Sequence, residues 1–320
     1  MKFKHLLIYA ATVSVFMVSC SKNQGVDTTN LAYTTPPAPV ADDSGTSTVT
    51  PPSGVTVGVD APPISGDNSN MLMGNPSGAG SVSNDNFLLN QGYYVESYNA
   101  TKQEPNWVCW HLDASNIGGT KRTDAFAGFA GLPTGVFAVQ SDSYDYATYG
   151  FDRGHNCPSA DRTSSTDANK ATFLMSNMIP QAPNNNQQTW GNFEDYCRSL
   201  LSAGNEIYII MGSYGTGGTG LKGPFNSIKF AKYPTENINV PSNVWKVAVV
   251  LPVGNGDLAR VSAATRVISI NTPNVNSINS NWKNYIATMA SIETATGYTL
   301  LSALPQSVHD ALKNKVDPGQ

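Results

Sequence analysis

The sequence predicts a mixed α+β domain that follows a long polar stretch. Three observations lead there. Strand-like and helical segments alternate irregularly and without a repeat over the second part of the chain, which disfavours a doubly wound parallel sheet. A hydrophobic fraction of 40% and an aromatic fraction of 9% in 320 residues suffice for a globular core. The stretch before residue 85 is instead rich in Ser, Thr, Gly, Pro, Asp and Asn. Only 13% of the chain is charged, so Asn, Ser, Thr and Gly supply most of the polar surface.

The chain begins with Lys2 and Lys4, followed by an apolar run from Leu6 to Val18, short for a membrane span but suited to a signal peptide. The run ends at Val18-Ser19-Cys20, which resembles a bacterial lipobox, although Met17 stands where Leu is usual. Residues 1–20 are therefore expected to be a lipoprotein signal peptide. Cys20 would be lipidated, and Ser21 is similar to an outer-membrane sorting signal. Export follows even without lipidation. Residues 21–84, punctuated by Pro36-Pro37, Pro51-Pro52 and Pro62-Pro63, show no apolar periodicity and are expected to form a flexible linker. The remaining cysteines are Cys109, Cys157 and Cys197. Their odd number outside the cytoplasm suggests one disulfide and one buried thiol, and their spacing is not that of a zinc site.

The domain is expected over 85–316, with 317–320 as a tail. Tyr93–Tyr98 and the aromatic run Trp107–Leu112 read as strands. A Gly-rich loop, 116–126, carries Lys121, Arg122 and Asp124. Thr166-Asp167 opens a helix that Asn177–Gln181 breaks, and a second helix runs from about Gln187 to Ala203, with Gly204 as its stop. Glu206–Met211, Val244–Pro252 and Arg260–Ile270 read as further strands. Trp282, Tyr285-Ile286 and Met289 recur at helical spacing, and Leu304-Pro305 opens a last helix. His111 reads as a core histidine and His309 as solvent-facing.

Two patches carry chemistry. Asp152-Arg153-Gly154-His155 packs an acid, a guanidinium and an imidazole into four positions. Asn186, Trp190, Glu194 and Cys197 share one stripe at helical spacing. Taken separately, the first is a surface turn holding a histidine, and the second an N-cap asparagine with a solvent glutamate. Together they offer a neutral oxygen ligand, a carboxylate, arginines and an imidazole. Metal-assisted phosphodiester cleavage uses that set: Mg²⁺ takes few protein oxygens, arginine and metal stabilise charge on the phosphate, and neutral histidine accepts a proton from water.

These motifs resemble the DNA/RNA non-specific endonucleases, the family of the secreted Serratia nuclease and mitochondrial endonuclease G. Asp152–His155 matches the family signature. Asn177–Gln181 is similar to its Asn-x-x-Pro-Gln segment, and Asn186, Trp190 and Glu194 stand at its Asn-x-x-x-Trp-x-x-x-Glu spacing. Asn106–His111, Val244–Val247, Asn271–Pro273 and Glu293–Gly297 followed by Leu304-Pro305 are similar as well. The resemblance implies a central antiparallel sheet flanked by helices, with a ββα-metal (His-Me finger) site. It implies His155 as general base, Asn186 as the direct ligand of one Mg²⁺ (Mn²⁺ substituting), and Glu194 bound to the metal through water. Arg153 and Arg122 would contact the phosphate, while Asn177 and Asp152 would give structural support. Cys157 and Cys197 could then bridge beside the site. Substrates would be DNA and RNA, cut to 5′-phosphate products, with the membrane met only through the lipid anchor.

Charge sets a limit. From residue 85 onward sixteen Lys and Arg face eighteen Asp and Glu, whereas duplex binders are usually basic. Modest affinity, steep salt dependence and backbone contacts are expected. Two other readings are a non-catalytic relative that binds nucleic acid or protein, and a glycan-binding surface lipoprotein. Intact His155, Asn186 and Glu194 oppose the first, and the placement of Trp107 and Trp245 within strands opposes the second.

Overall fold

The computed structural model describes residues 55–320. The expected signal peptide, Cys20 and the first part of the expected linker lie outside the described residues. In chain order the strands are β1 Phe87–Asn90, β2 Val95–Asn99, β3 Glu104–Leu112, β4 Asp152–His155, β5 Met178–Gln181, β6 Asn205–Tyr214, β7 Gly218–Gly220, β8 Gly223–Phe225, β9 Ser227–Ile228, β10 Ile238–Asn239, β11 Asn243–Pro252 and β12 Arg266–Pro273. The helices are α1 Tyr146–Tyr149, α2 Thr166–Ala171, α3 Gly191–Leu201, α4 Asp257–Arg260, α5 Met289–Thr296 and α6 Gln306–Leu312.

Six strands form a central sheet in the order β1-β2-β3-β6-β11-β12, with every neighbouring pair antiparallel. This is the antiparallel α+β architecture that the resemblance implied. The period-2 alternation of the strands sorts side chains to two faces. Ile207, Ile209 and Met211 of β6, with Val244, Ala248 and Val250 of β11, pack with Trp110, Trp190, Phe193 and Cys197 on one face. Tyr208, Ile210, Trp245, Val247, Val249 and Leu251 pack with Met289, Ile292 and Leu312 on the other. The register places Gly212 opposite Trp107 on one side and Trp245 on the other. A Cβ there would lie 2.4 Å from the Asn106 carbonyl oxygen and 2.8 Å from the Trp245 ring, so only glycine fits between them.

Several sequence expectations change. Residues 55–84, read as linker, are packed against the domain. Met73 and Ala79 are buried in the face that carries α5 and α6. Asn70 donates to the Gly92 carbonyl and accepts from the His111 amide, and the Asn68 amide donates to the Tyr208 hydroxyl. The 317–320 tail is also tied down, since Asp317 accepts twice from Arg266. Arg260 ends α4 rather than opening a strand. Trp282–Tyr285 is a 3₁₀ turn separate from α5. His309 is buried and lies 2.8 Å from Glu293 instead of facing solvent. His111 is a core histidine, 3.1 Å from Glu206. Among the described residues no helix is long and apolar enough to cross a membrane.

Candidate active site

β4 and β5 form an antiparallel pair outside the central sheet, with Gly154 opposite Ile179 and His155 opposite Met178. The strands approach closely at Gly154, where a Cβ would lie 2.3 Å from Gln181 Oε1. Immediately after His155 the chain turns, and Asn177 brackets the turn. Its Oδ1 accepts from the Cys157 amide (2.9 Å), and its Nδ2 donates to the Cys157 and Thr172 carbonyls (2.9 and 2.8 Å).

His155 ends β4 with its ring edge-on to Phe173, centroids 4.9 Å apart, and 5.7 Å from Phe126. Burial holds its pKa well below the usual histidine value, and the positive charges of Arg122 and Arg153 add to the effect. The imidazole is therefore neutral at pH 7. Its Nε2 is buried and has no hydrogen-bond partner among the described residues, an arrangement that costs energy unless a substrate or water uses the atom.

Two arginines flank it. The Arg153 guanidinium stacks 3.6 Å above the Phe126 ring and donates to the Ser141 carbonyl. Arg122, the least local of the expected residues, is brought in by its loop: Nε donates to Asp124, NH1 donates to Ser159 Oγ, and the guanidinium lies 4.7 Å from the Phe173 centroid.

The helix that carries Glu194 opens differently from the expected regular α-helix. Asn185–Trp190 is a π-turn leading into α3, a wider winding that often marks functional sites and changes the phase of Asn186 relative to Glu194. Asn185 anchors the turn by donating to Thr272 Oγ1 and the Pro273 carbonyl at the end of β12. Asn186 Nδ2 then donates to Asp152 Oδ2 at 2.9 Å, and Gln187 Nε2 donates to the same oxygen at 2.8 Å. Asp152 thus fixes the amide of Asn186 and turns Oδ1 away from itself. Burial raises the Asp152 pKa, against these two hydrogen bonds.

Glu194 lies on α3. Its Oε1 accepts from Lys246 Nζ at 3.0 Å, and Lys246 sits between the rings of Trp190 (4.8 Å) and Trp110 (5.3 Å). Burial raises the Glu194 pKa, while Lys246 and Arg198 oppose the rise. Arg198, one turn further along α3, bridges Asp161 (2.7 Å) and Asp195, and Asp161 accepts from Trp110 Nε1.

The bridge expected between Cys157 and Cys197 does not form. Both, like Cys109, are free buried thiols. Cys157 and Cys197 fill the apolar layer between α3 and the sheet, and burial pushes both thiols up to about 12, so they act as packing groups.

Sequence reasoning missed Lys246, Arg198, Phe126 and Phe173. Lys246 was visible as the single charge in the apolar run Val244–Leu251. Arg198 stands four residues after Glu194, at ion-pair spacing on a helix. The phenylalanines carried no signal apart from ordinary core composition.

The fold, together with a site of neutral imidazole, paired guanidiniums and an oriented amide, belongs to the class of phosphodiester-cleaving hydrolases. The chain is a member of the DNA/RNA non-specific endonuclease family, whose model matches residues 77–307. It is 42% identical over 249 residues to a nuclease of a Nostoc species, covering 77% of this chain and 85% of that protein. To a nuclease of Syncephalastrum racemosum it is 29% identical over 245 residues, covering 74% and 72%. The solved structure of the EndoG/EndoGI complex is similar in fold, with a TM-score of 0.56 at 21% identity, covering 74% of this chain and 91% of that one.

The family is metal-dependent, and the residues present fit a hard cation with few protein ligands. Among the described residues no three His, Cys, Asp or Glu side chains cluster to hold a metal. What the site offers is one oriented amide oxygen, on Asn186, and the carboxylate of Glu194. That suits a hard ion that retains most of its water better than a softer ion that seeks imidazole or thiolate.

Proposed function

We propose that the chain is a Mg²⁺-dependent endonuclease that hydrolyses DNA and RNA phosphodiesters with little sequence preference and leaves 5′ phosphates. The observation that carries this reading is His155: neutral, buried, flanked by two guanidiniums, and with Nε2 lacking any partner among the described residues. A general base needs that protonation state, and a phosphate needs those neighbours.

His155 Nε2 takes the proton from the water that attacks phosphorus. Arg153 and Arg122 orient the phosphate and meet the negative charge that grows on its oxygens. Asn186 Oδ1 would hold Mg²⁺ directly and Glu194 through water. When bound, the ion supplies Lewis-acid stabilisation of the phosphate and the departing 3′ oxygen. Mn²⁺, with similar oxygen preference, would substitute. Asp152, which accepts from the Asn186 amide, keeps the ligand oxygen aimed away from itself.

The test uses protein beginning at residue 55, because residues 55–84 pack on the domain. Supercoiled plasmid and single-stranded RNA are incubated with Mg²⁺ or EDTA. Cleavage of both should need the metal, and His155→Ala should lower it by about 10²-fold or more. Metal-independent cleavage, or an unimpaired His155→Ala variant, would refute the mechanism.

We further propose that the protein is exported and held at the outer membrane by lipid on Cys20, on the basis of Leu6–Val18 and Val18-Ser19-Cys20. Palmitate labelling abolished by Cys20→Ser would support the anchor. Equal labelling of that variant would sink it.

A further inference from the structure

We propose that Phe126 is a positioning residue for phosphodiester cleavage: its ring face holds Arg153 in place without neutralising it, and its contacts set Arg153, Arg122 and His155 in register. The inference rests on the nuclease reading above and concerns a residue to which that reading gives no part.

The geometry centres on one ring. The Arg153 guanidinium carbon lies 3.6 Å from the Phe126 centroid, and that of Arg122 lies 5.9 Å away. The His155 ring is 5.7 Å away at 63°, and Phe173 meets Phe126 edge-on at 4.8 Å and 88°. Phe173 in turn touches His155 and Arg122. The two phenylalanines therefore interleave with all three polar groups.

The backbone delivers Phe126 there by a specific route. Asp124 adopts a left-handed conformation (φ 50°), and the Phe126 amide closes back onto the Asp124 carbonyl. The next residue, Ala127, docks beside Leu174: its amide donates to the Phe173 carbonyl and its carbonyl accepts from the Met175 amide. The loop that carries Arg122 is thus fastened to the segment after α2, with Phe126 facing the site.

The electrostatics explain why an aromatic residue suits this position. Arg122 and Arg153 are like charges that disfavour each other. Arg122 is paired with Asp124, whereas among the described residues no carboxylate forms an ion pair with Arg153. A carboxylate over Arg153 would fix it but would cancel its charge and repel a phosphate. The negative face of an aromatic ring attracts a guanidinium while adding no net charge. Arg153 is held, and its full positive charge remains available to the substrate.

The experiment replaces Phe126 in the full chain and measures cleavage of a duplex oligonucleotide with Mg²⁺. Phe126→Leu keeps apolar bulk and removes the ring face; Phe126→Tyr retains the face. Site-specific incorporation of di- and pentafluorophenylalanine keeps the shape while draining electron density from the face. Phe126→Leu should lower kcat by about tenfold with KM within about twofold, and Phe126→Tyr should recover most of the loss. Across the fluorinated series log kcat should fall stepwise while the unfolding midpoint stays constant, so the result holds even if the leucine variant folds poorly. Wild-type rates in the pentafluoro protein, or a loss seen only in KM, would overturn the proposal. A wild-type protein that cleaves nothing would overturn the nuclease reading instead, and this inference with it.

Discussion

Replacing Lys246 with methionine isolates the charge that holds Glu194. Methionine approximates the apolar stem of lysine and deletes the ammonium. The Lys246 side chain is 1% exposed and that of Glu194 14%, so the change strands a carboxylate at the edge of the core. Removing one member of a buried ion pair costs roughly 3–5 kcal/mol. Partial exposure of Glu194 places this pair at the low end, about 3 kcal/mol, or a fall in Tm of about 10 °C for a domain of this size. The stranded carboxylate has one escape, which is to take a proton. Burial already raises its pKa, and without Lys246 it would rise further above the unfolded value. A raised carboxyl pKa contributes stability that is present at low pH and lost as pH rises through the folded value. The deficit should therefore be large at pH 8 and much smaller at pH 5. Urea unfolding of wild type, Lys246→Met, Glu194→Gln and the double variant at both pH values provides the test, with a coupling of about 2 kcal/mol expected at pH 8. Coupling below about 0.5 kcal/mol, or a deficit that ignores pH, would refute the reasoning.

Three other outcomes follow, two of them from the same site. Because burial and two arginines depress the His155 pKa, the base stays neutral on acidification, and kcat/KM should hold through pH 6.5 before it declines; an acid limb centred above 6.5 would contradict the assigned environment. Asp152→Leu frees the Asn186 amide to rotate, so the Mg²⁺ concentration for half-maximal activity should rise about 10- to 100-fold with little change in folding, whereas an unchanged requirement would separate Asp152 from ligand orientation. Away from the site, burial of Glu104 pushes its carboxyl up to about 8. Its stability is retained at acid pH and lost as pH rises toward 8, so Glu104→Gln should gain about 2–5 kcal/mol relative to wild type between pH 5 and pH 9, measured by denaturant melts; a pH-independent difference would disprove it.

The parts of the molecule legible in the sequence were those whose signal is local. Asp152–His155 is four consecutive residues, and Asn186 and Glu194 lie on one short stretch, so the resemblance to the family could be read from their spacing. β11 is a long apolar strand and was found nearly whole, whereas β6 was found only over Glu206–Met211, because Gly212 read as the start of a loop although the strand runs on to Tyr214. The parts that escaped are defined by distant partners. Residues 55–84 have the composition of a linker, yet Asn70 is held by Gly92 and His111, and Met73 by the face that carries α5 and α6. Such contacts leave no periodicity to detect. The π-turn at Asn185–Trp190 depends on Asn185 reaching β12 some ninety residues on. Phe126 looks like any loop aromatic until the fold sets it under Arg153. The Cys157–Cys197 bridge was inferred from an odd count and a shared neighbourhood, but apolar packing already satisfies both thiols.

Lys246 has one further consequence. It projects from the middle of β11, the strand between β6 and β12, so the counter-charge of Glu194 exists only once the sheet has closed around it. The Asn186–Asp152 and Lys246–Glu194 contacts each join separate stretches of chain and form only after long-range pairing is complete. A chain still emerging from the ribosome therefore carries the candidate residues without the contacts that orient them.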